Sequence, residues 1–163
     1  MFDHVSIGVA DVSRAKRFYD AVLQPLGYRC LSEGADSLGY GGQSVALWVN
    51  KASRPVSPDQ NSGLHFCFAA PTRKGVDAFH KAALASGGRD NGAPGIRPHY
   101  HPTYYGAFVL DPDGNNIEAV CHQPDDTHHL MSSPSNARRP SDAVRQLEAG
   151  RDRDEVERSE MQD

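Results

Sequence analysis

The sequence is short of cysteine, of glutamate in its first 123 residues, of tryptophan and of long apolar runs, and each shortage excludes something. Cys30, Cys67 and Cys121 are odd in number and form no C-x-x-C pair. That argues against a disulfide framework or a zinc–thiolate site and fits a reducing, cytoplasmic setting. No apolar stretch approaches the roughly 20 residues of a helical bilayer crossing, so no membrane partner is expected. The start, Met1-Phe2-Asp3-His4-Val5, has neither a basic nor an apolar leader region, so no signal peptide is expected. A basic surplus is missing too. Residues 1–123 carry 11 Lys and Arg against 11 Asp and Glu, and a neutral body without a basic stripe gives no footprint for nucleic acid.

The net charge of −4 belongs to residues 124–163, where 6 Arg face 10 acids. This segment opens with Pro124-Asp125-Asp126 and passes through Ser132-Ser133-Pro134-Ser135-Asn136 into mixed charge. It reads as a C-terminal extension, disordered or partly helical. A helix from Ser141 to about Arg158 would present a thin apolar stripe through Val144 and Leu147. His122, His128 and His129 read as an exposed group without a ligand pattern.

The body, residues 1–123, is an internal repeat. A shift of 61 aligns His4 with His65, Phe18 with Phe79, Leu23 with Leu84 and Gly27 with Gly88; a shift of 72 aligns Gly42 with Gly114. The difference falls in 89–105, a long insert rich in Gly, Pro, His and Tyr. Two units, about 2–50 and 63–122, are each too small to bury an apolar face alone and are expected to pack together. Within each, alternation predicts a strand (2–9 and 64–70). A helix follows, with stripes Ala15, Phe18, Tyr19, Val22, Leu23 and Val76, Phe79, His80, Ala83, Leu84. Asp11 caps the first helix and Pro25 and Gly27 stop it. Short strands follow, and the second unit closes with a hairpin around Asp111-Pro112-Asp113-Gly114. The fold class is therefore α+β, strand–helix–strand–strand–strand twice over.

Alternation also selects a site. Leu64, Phe66 and Phe68 share one face of their strand, leaving His65, Cys67 and Ala69 on the other. Ile117, Ala119 and Cys121 pack one way, leaving Asn116, Glu118 and Val120 opposite. Glu118 is one of two glutamates in residues 1–123, and a carboxylate within an apolar strand is costly unless paired or bound to a cation. His4 and His65 occupy the same place in the two units. Two imidazoles and one carboxylate are a donor set that holds a divalent metal with coordination positions left open.

The stretches from His4 to Asp11 and from Asp111 to Glu118 resemble the vicinal oxygen chelate superfamily, which includes glyoxalase I, bleomycin and fosfomycin resistance proteins and extradiol dioxygenases. The likeness covers residues 2–122. It implies paired βαβββ modules whose curved, mostly antiparallel sheets enclose a cavity, with His4, His65 and Glu118 as ligands of one divalent ion (zinc, iron(II), manganese or nickel). It further implies a small-molecule substrate bound through two adjacent oxygens, and a homodimer. Glyoxalase I adds a carboxylate where this chain has Ala46, with Trp48 nearby on the same face. Extradiol enzymes place a His and a Tyr where this chain has His99 and Phe108.

The expected activity is thus a glyoxalase-like lyase or isomerase, with Glu118 and His99 as catalytic candidates. The alternatives are an extradiol-type dioxygenase and a metal-free binding protein of the bleomycin-resistance type. Within the insert, Arg97 is the candidate anchor for an anionic group, and Tyr104 and Tyr105 the candidates for the mouth. Trp48 and Phe108 complete the expected substrate lining.

Overall fold

The computed structural model describes residues 2–56, 59 and 61–124. The C-terminal extension, including the helix expected from Ser141 and the residues His128 and His129, lies outside the described residues. Among the described residues, eight strands and two α-helices run in the order β1 (Val5–Val9), α1 (Val12–Leu23), β2 (Arg29–Glu33), β3 (Ser37–Gly41), β4 (Val45–Lys51), β5 (Phe66–Ala69), α2 (Arg73–Ala85), β6 (Arg89–Ile96), β7 (Tyr105–Leu110) and β8 (Asn116–Cys121). The βαβββ unit therefore occurs twice.

Each unit makes one four-stranded sheet, ordered β1-β4-β3-β2 in the first and β5-β8-β7-β6 in the second. The first strand of each unit pairs parallel with the last, and the remaining pairs are antiparallel. That follows from connection length: tight turns join antiparallel neighbours, whereas a parallel neighbour needs a crossover through other elements.

Helix α1 starts where Asp11 accepts a hydrogen bond from the Arg14 amide at 2.9 Å, satisfying one of the donors left over at a helix N-terminus. Its stripe of Ala15, Phe18, Tyr19, Val22 and Leu23 is fully buried. A 3₁₀ turn, Gln24–Leu26, ends it at Gly27, whose φ of 86° lies in the left-handed region that glycine enters without strain. Thr72 caps α2 through Gly75. Along α2, Val76, Phe79 and Ala83 are buried as expected. Leu84, by contrast, is 45% exposed, and His80 turns to bond Asp90 Oδ1 at 2.8 Å. Leu64 is also exposed rather than packed, because β5 begins only at Phe66.

The two helices pack on each other, and polar clamps tie the units. Buried Asp111 accepts from the Tyr19 hydroxyl at 2.7 Å, from the Asn115 side chain at 2.8 Å and from the Asp113 and Asn115 amides. Arg14 reaches Asp113 at 2.8 Å. The Tyr28 hydroxyl donates to the Ala69 carbonyl at 2.9 Å. The insert is less of a loop than its composition predicts: β6 takes up 89–96 as an edge strand, with register breaks between Asp90 and Gly92 and between Gly92 and Gly95. An edge position tolerates Pro94, which has no amide hydrogen to offer a ladder. Only residues 97–104 remain irregular, closed where the Arg97 amide donates to the Tyr104 carbonyl at 2.8 Å.

Candidate functional site

The second sheet builds the site from register. Cys67 on β5 and Phe108 on β7 are both direct neighbours of Glu118 on β8. Ala107, Val109, Ile117, Ala119 and Cys121 turn to the core. Side chains alternate across a strand, so Glu118, Cys67 and Phe108 share the opposite face. His65 joins them from just before β5.

Glu118 is completely buried. Its Oε1 accepts a hydrogen bond from the Tyr104 hydroxyl at 2.5 Å. Its Oε2 is buried and has no hydrogen-bond partner among the described residues, although His65 Nε2 lies 3.1 Å away, within ion-pair distance. The other ring nitrogen, His65 Nδ1, lies 3.0 Å from the Gly63 carbonyl. A carbonyl can only accept, so Nδ1 donates there, and Nε2 is left beside Oε2 with no hydrogen bond between them. A buried carboxylate oxygen and a ring nitrogen this close, with no hydrogen bond joining them, are two donors that a cation between them would satisfy. A ligating imidazole characteristically has its far nitrogen bonded to such a carbonyl.

The surroundings preserve this arrangement. Desolvation, and then the hydrogen bond to Glu118, hold the Tyr104 phenol above its ordinary range, so it keeps its proton and donates. The Cys67 thiol is pushed up as well, first by desolvation against the sheet, then by the Glu118 charge and a side-chain hydrogen bond with Glu118. The Phe108 ring stands edge-on to His65, with centroids 5.7 Å apart. Next to Glu118 is a cleft of about 630 Å³, lined among others by His65, Tyr100, His101, Tyr104 and His122. Tyr104 packs between Tyr100 and His122, each with its ring centroid 5.1 Å away.

The candidates read from the sequence therefore separate. His65, Glu118, Tyr104 and Phe108 come together. His4 lies on the exposed lead into β1, its Nδ1 2.6 Å from Asp3, and no three His, Cys, Asp or Glu side chains among the described residues are grouped to hold a metal ion. His99 lies against Tyr100 with the rings tilted and centroids 4.2 Å apart, and it does not line the cleft. The Arg97 guanidinium donates to the Ala93 carbonyl at 2.8 Å, within its own hairpin. Tyr105 points away from its neighbour Tyr104, donating to Asp77 at 2.7 Å beneath Arg73 of α2. Trp48 lies on the first sheet beside Gly39. The cleft also holds His122, which sequence reasoning had grouped with His128 and His129. Its signal was parity with Glu118, four residues earlier on the same strand face.

A family model described as Glyoxalase/Bleomycin resistance protein/Dioxygenase superfamily matches residues 1–119. A crystal structure of a glyoxalase/bleomycin resistance protein from Albidiferax ferrireducens is 33% identical, with a TM-score of 0.67, covering 74% of this chain and 98% of that one. A glyoxalase/bleomycin resistance protein/dioxygenase family enzyme from Burkholderia phytofirmans is 20% identical, with a TM-score of 0.58, over 74% and 97%. A glyoxalase I mutant from Zea mays is 21% identical, with a TM-score of 0.56; the match covers 78% of this chain and 47% of that longer one. At those lower identities the likeness speaks for the fold alone. No curated protein matches the sequence.

Proposed function

The chain belongs to the Glyoxalase/Bleomycin resistance protein/Dioxygenase superfamily, and on that footing we propose that it is a divalent-metal-dependent enzyme that binds a small substrate through two adjacent oxygens, with glyoxalase-like lyase or isomerase chemistry. One observation carries the reading. Glu118 Oε2 is buried without a hydrogen bond while His65 Nε2 faces it at 3.1 Å. Leaving a buried carboxylate oxygen unsatisfied costs about 1–3 kcal/mol or more, and a divalent cation held by both atoms removes that cost.

His65 and Glu118 supply two donors. The third is His4 of a second copy of the chain, in a homodimer. His4 and His65 precede β1 and β5, the edge strands of their sheets, and two edges of one design can meet about a twofold axis. The ion, when bound, acts as a Lewis acid toward the substrate's paired oxygens. The chain's own residues do the rest. Gly63 accepts from His65 Nδ1, Phe108 packs edge-on against the ring, and the rings of Tyr100, Tyr104 and His122 shape the cleft. Glu118 is the candidate proton carrier.

The test is complementation. His4→Ala and Glu118→Gln should each abolish tight binding of added zinc. Co-expressed, they form mixed dimers with one intact site of two, so the mixed dimer, once isolated from the two mutant homodimers, should regain about half the wild-type zinc stoichiometry. Mixed dimers that stay empty would overturn the shared site, and wild-type protein that binds no divalent ion would overturn the metal reading in favour of a binding module. Oxygen uptake with ring cleavage of catechols by the iron(II)-loaded protein would replace the lyase assignment with the dioxygenase one.

A further inference from the structure

The two oxygens of Glu118 are unequal. Oε1 is taken by the Tyr104 hydroxyl at 2.5 Å, and Oε2 is left bare toward His65. The inequality is built into the backbone. A Cβ at position 106 would stand 3.1 Å from Glu118 Oε1 and 3.1 Å from the Tyr104 ring, so any larger residue there crowds the phenol and the carboxylate where they meet. Tyr104 itself is fixed from two directions: its carbonyl closes the 97–104 loop by accepting from Arg97, and its ring is wedged between Tyr100 and His122.

We propose that Tyr104 is a positioning residue that keeps Glu118 a one-oxygen ligand, thereby reserving a coordination position for the second oxygen of the substrate. This rests on the metal-binding reading above. A carboxylate can bind a cation through one oxygen or both. An ion held by His65, a second imidazole and both oxygens of Glu118 would have one position fewer for a chelating substrate. Occupying Oε1 with a short hydrogen bond from the Tyr104 hydroxyl enforces the one-oxygen mode. Tyr104 touches neither the ion nor the substrate oxygens in this role; it acts through Glu118.

The experiment uses the full chain loaded with cobalt(II) alone, read by visible absorption, then titrated with acetohydroxamate as a two-oxygen chelator and with azide as a one-atom ligand. In Tyr104→Phe, which keeps the ring, Glu118 should take both oxygens to the ion. The cobalt bands should weaken as the coordination number rises, and acetohydroxamate should bind about tenfold more weakly or worse, with azide affected much less. Gly106→Ala, which pushes the phenol and carboxylate apart, should reproduce the same changes and serves should Tyr104→Phe fold poorly. Wild-type spectra and hydroxamate affinity in both variants would overturn the inference while leaving the metal site standing. Failure of wild-type protein to bind cobalt would overturn both.

Discussion

Tyr19 and Asp111, 92 residues apart and in different modules, meet through a hydrogen bond of 2.7 Å in a fully buried setting. The contact joins the first helix to the turn before β8, the strand that carries Glu118. Tyr19→Phe removes this donor and leaves Asp111 its three other bonds. The expected loss is about 1–3 kcal/mol, seen as a lower urea midpoint with an unchanged slope.

Alkali should act through the same residues. Burial, and then the Asp111 charge, push the Tyr19 phenol well above its ordinary value of 10.0. Burial, and then the hydrogen bond to Asp20, do the same for Tyr40. The unfolded chain loses these protons near pH 10 while the folded chain keeps them, so the unfolded state binds fewer protons and stability falls as pH rises. The contribution is complete below pH 10 and fades above it, by up to about 1.4 kcal/mol per pH unit for each tyrosine. Unfolding followed from pH 9 upward should steepen there, and Tyr19→Phe and Tyr40→Phe should each flatten the slope.

Glu118→Gln should move stability and metal binding in opposite directions. The amide nitrogen can donate to His65 Nε2 where Oε2 now finds no partner, so the metal-free variant should melt at or above the wild-type temperature. Loss of one charge from the ligand set should weaken zinc binding by well over about tenfold. A variant that unfolds easily and still binds zinc would contradict both halves.

Chelation gives a simpler check. A ligand at a hundred times its dissociation constant adds about 2.7 kcal/mol to the folded state. Zinc should raise the melting temperature of wild-type protein, EDTA should reverse the rise, and neither should move Glu118→Gln.

Gly88 marks where the modules crowd each other. A Cβ there would stand 2.8 Å from the Phe18 ring, 2.9 Å from the Ala83 carbonyl and 3.0 Å from that of Leu110. Two of those neighbours are backbone and cannot swing aside, so Gly88→Ala should cost about 1–3 kcal/mol, measurable by thermal unfolding.

Alternation in the sequence carries the fold and the grouping of the candidate site: with Ile117 and Ala119 committed to the core, Glu118 has to face the other way, and the same alternation puts Cys67 and His65 beside it. Capping chemistry at Asp11 and the Pro25–Gly27 stop located α1. Adjacent tyrosines were harder. Periodicity requires Tyr104 and Tyr105 to part, but which one meets Glu118 depends on where the β7 ladder begins. The 89–105 insert read as a loop from its Gly and Pro, yet an edge strand accommodates both through breaks in register. Arg97 and His99 have the chemistry of a substrate site, but the Arg97 guanidinium bonds the Ala93 carbonyl and the His99 ring lies against Tyr100, outside the cleft beside Glu118.

The margins of the two sheets differ in a way that bears on assembly. β2 and β6 are interrupted, between Cys30 and Ser32 in one and at Gly92 in the other, while β1 and β5 run in unbroken register with their neighbours. Irregular margins make poor templates for further strands. In the proposed dimer, association through β1 and β5 would consume the regular edges of both copies at once, so addition of subunits would halt at two and the assembly would resist growing into fibres even when concentrated.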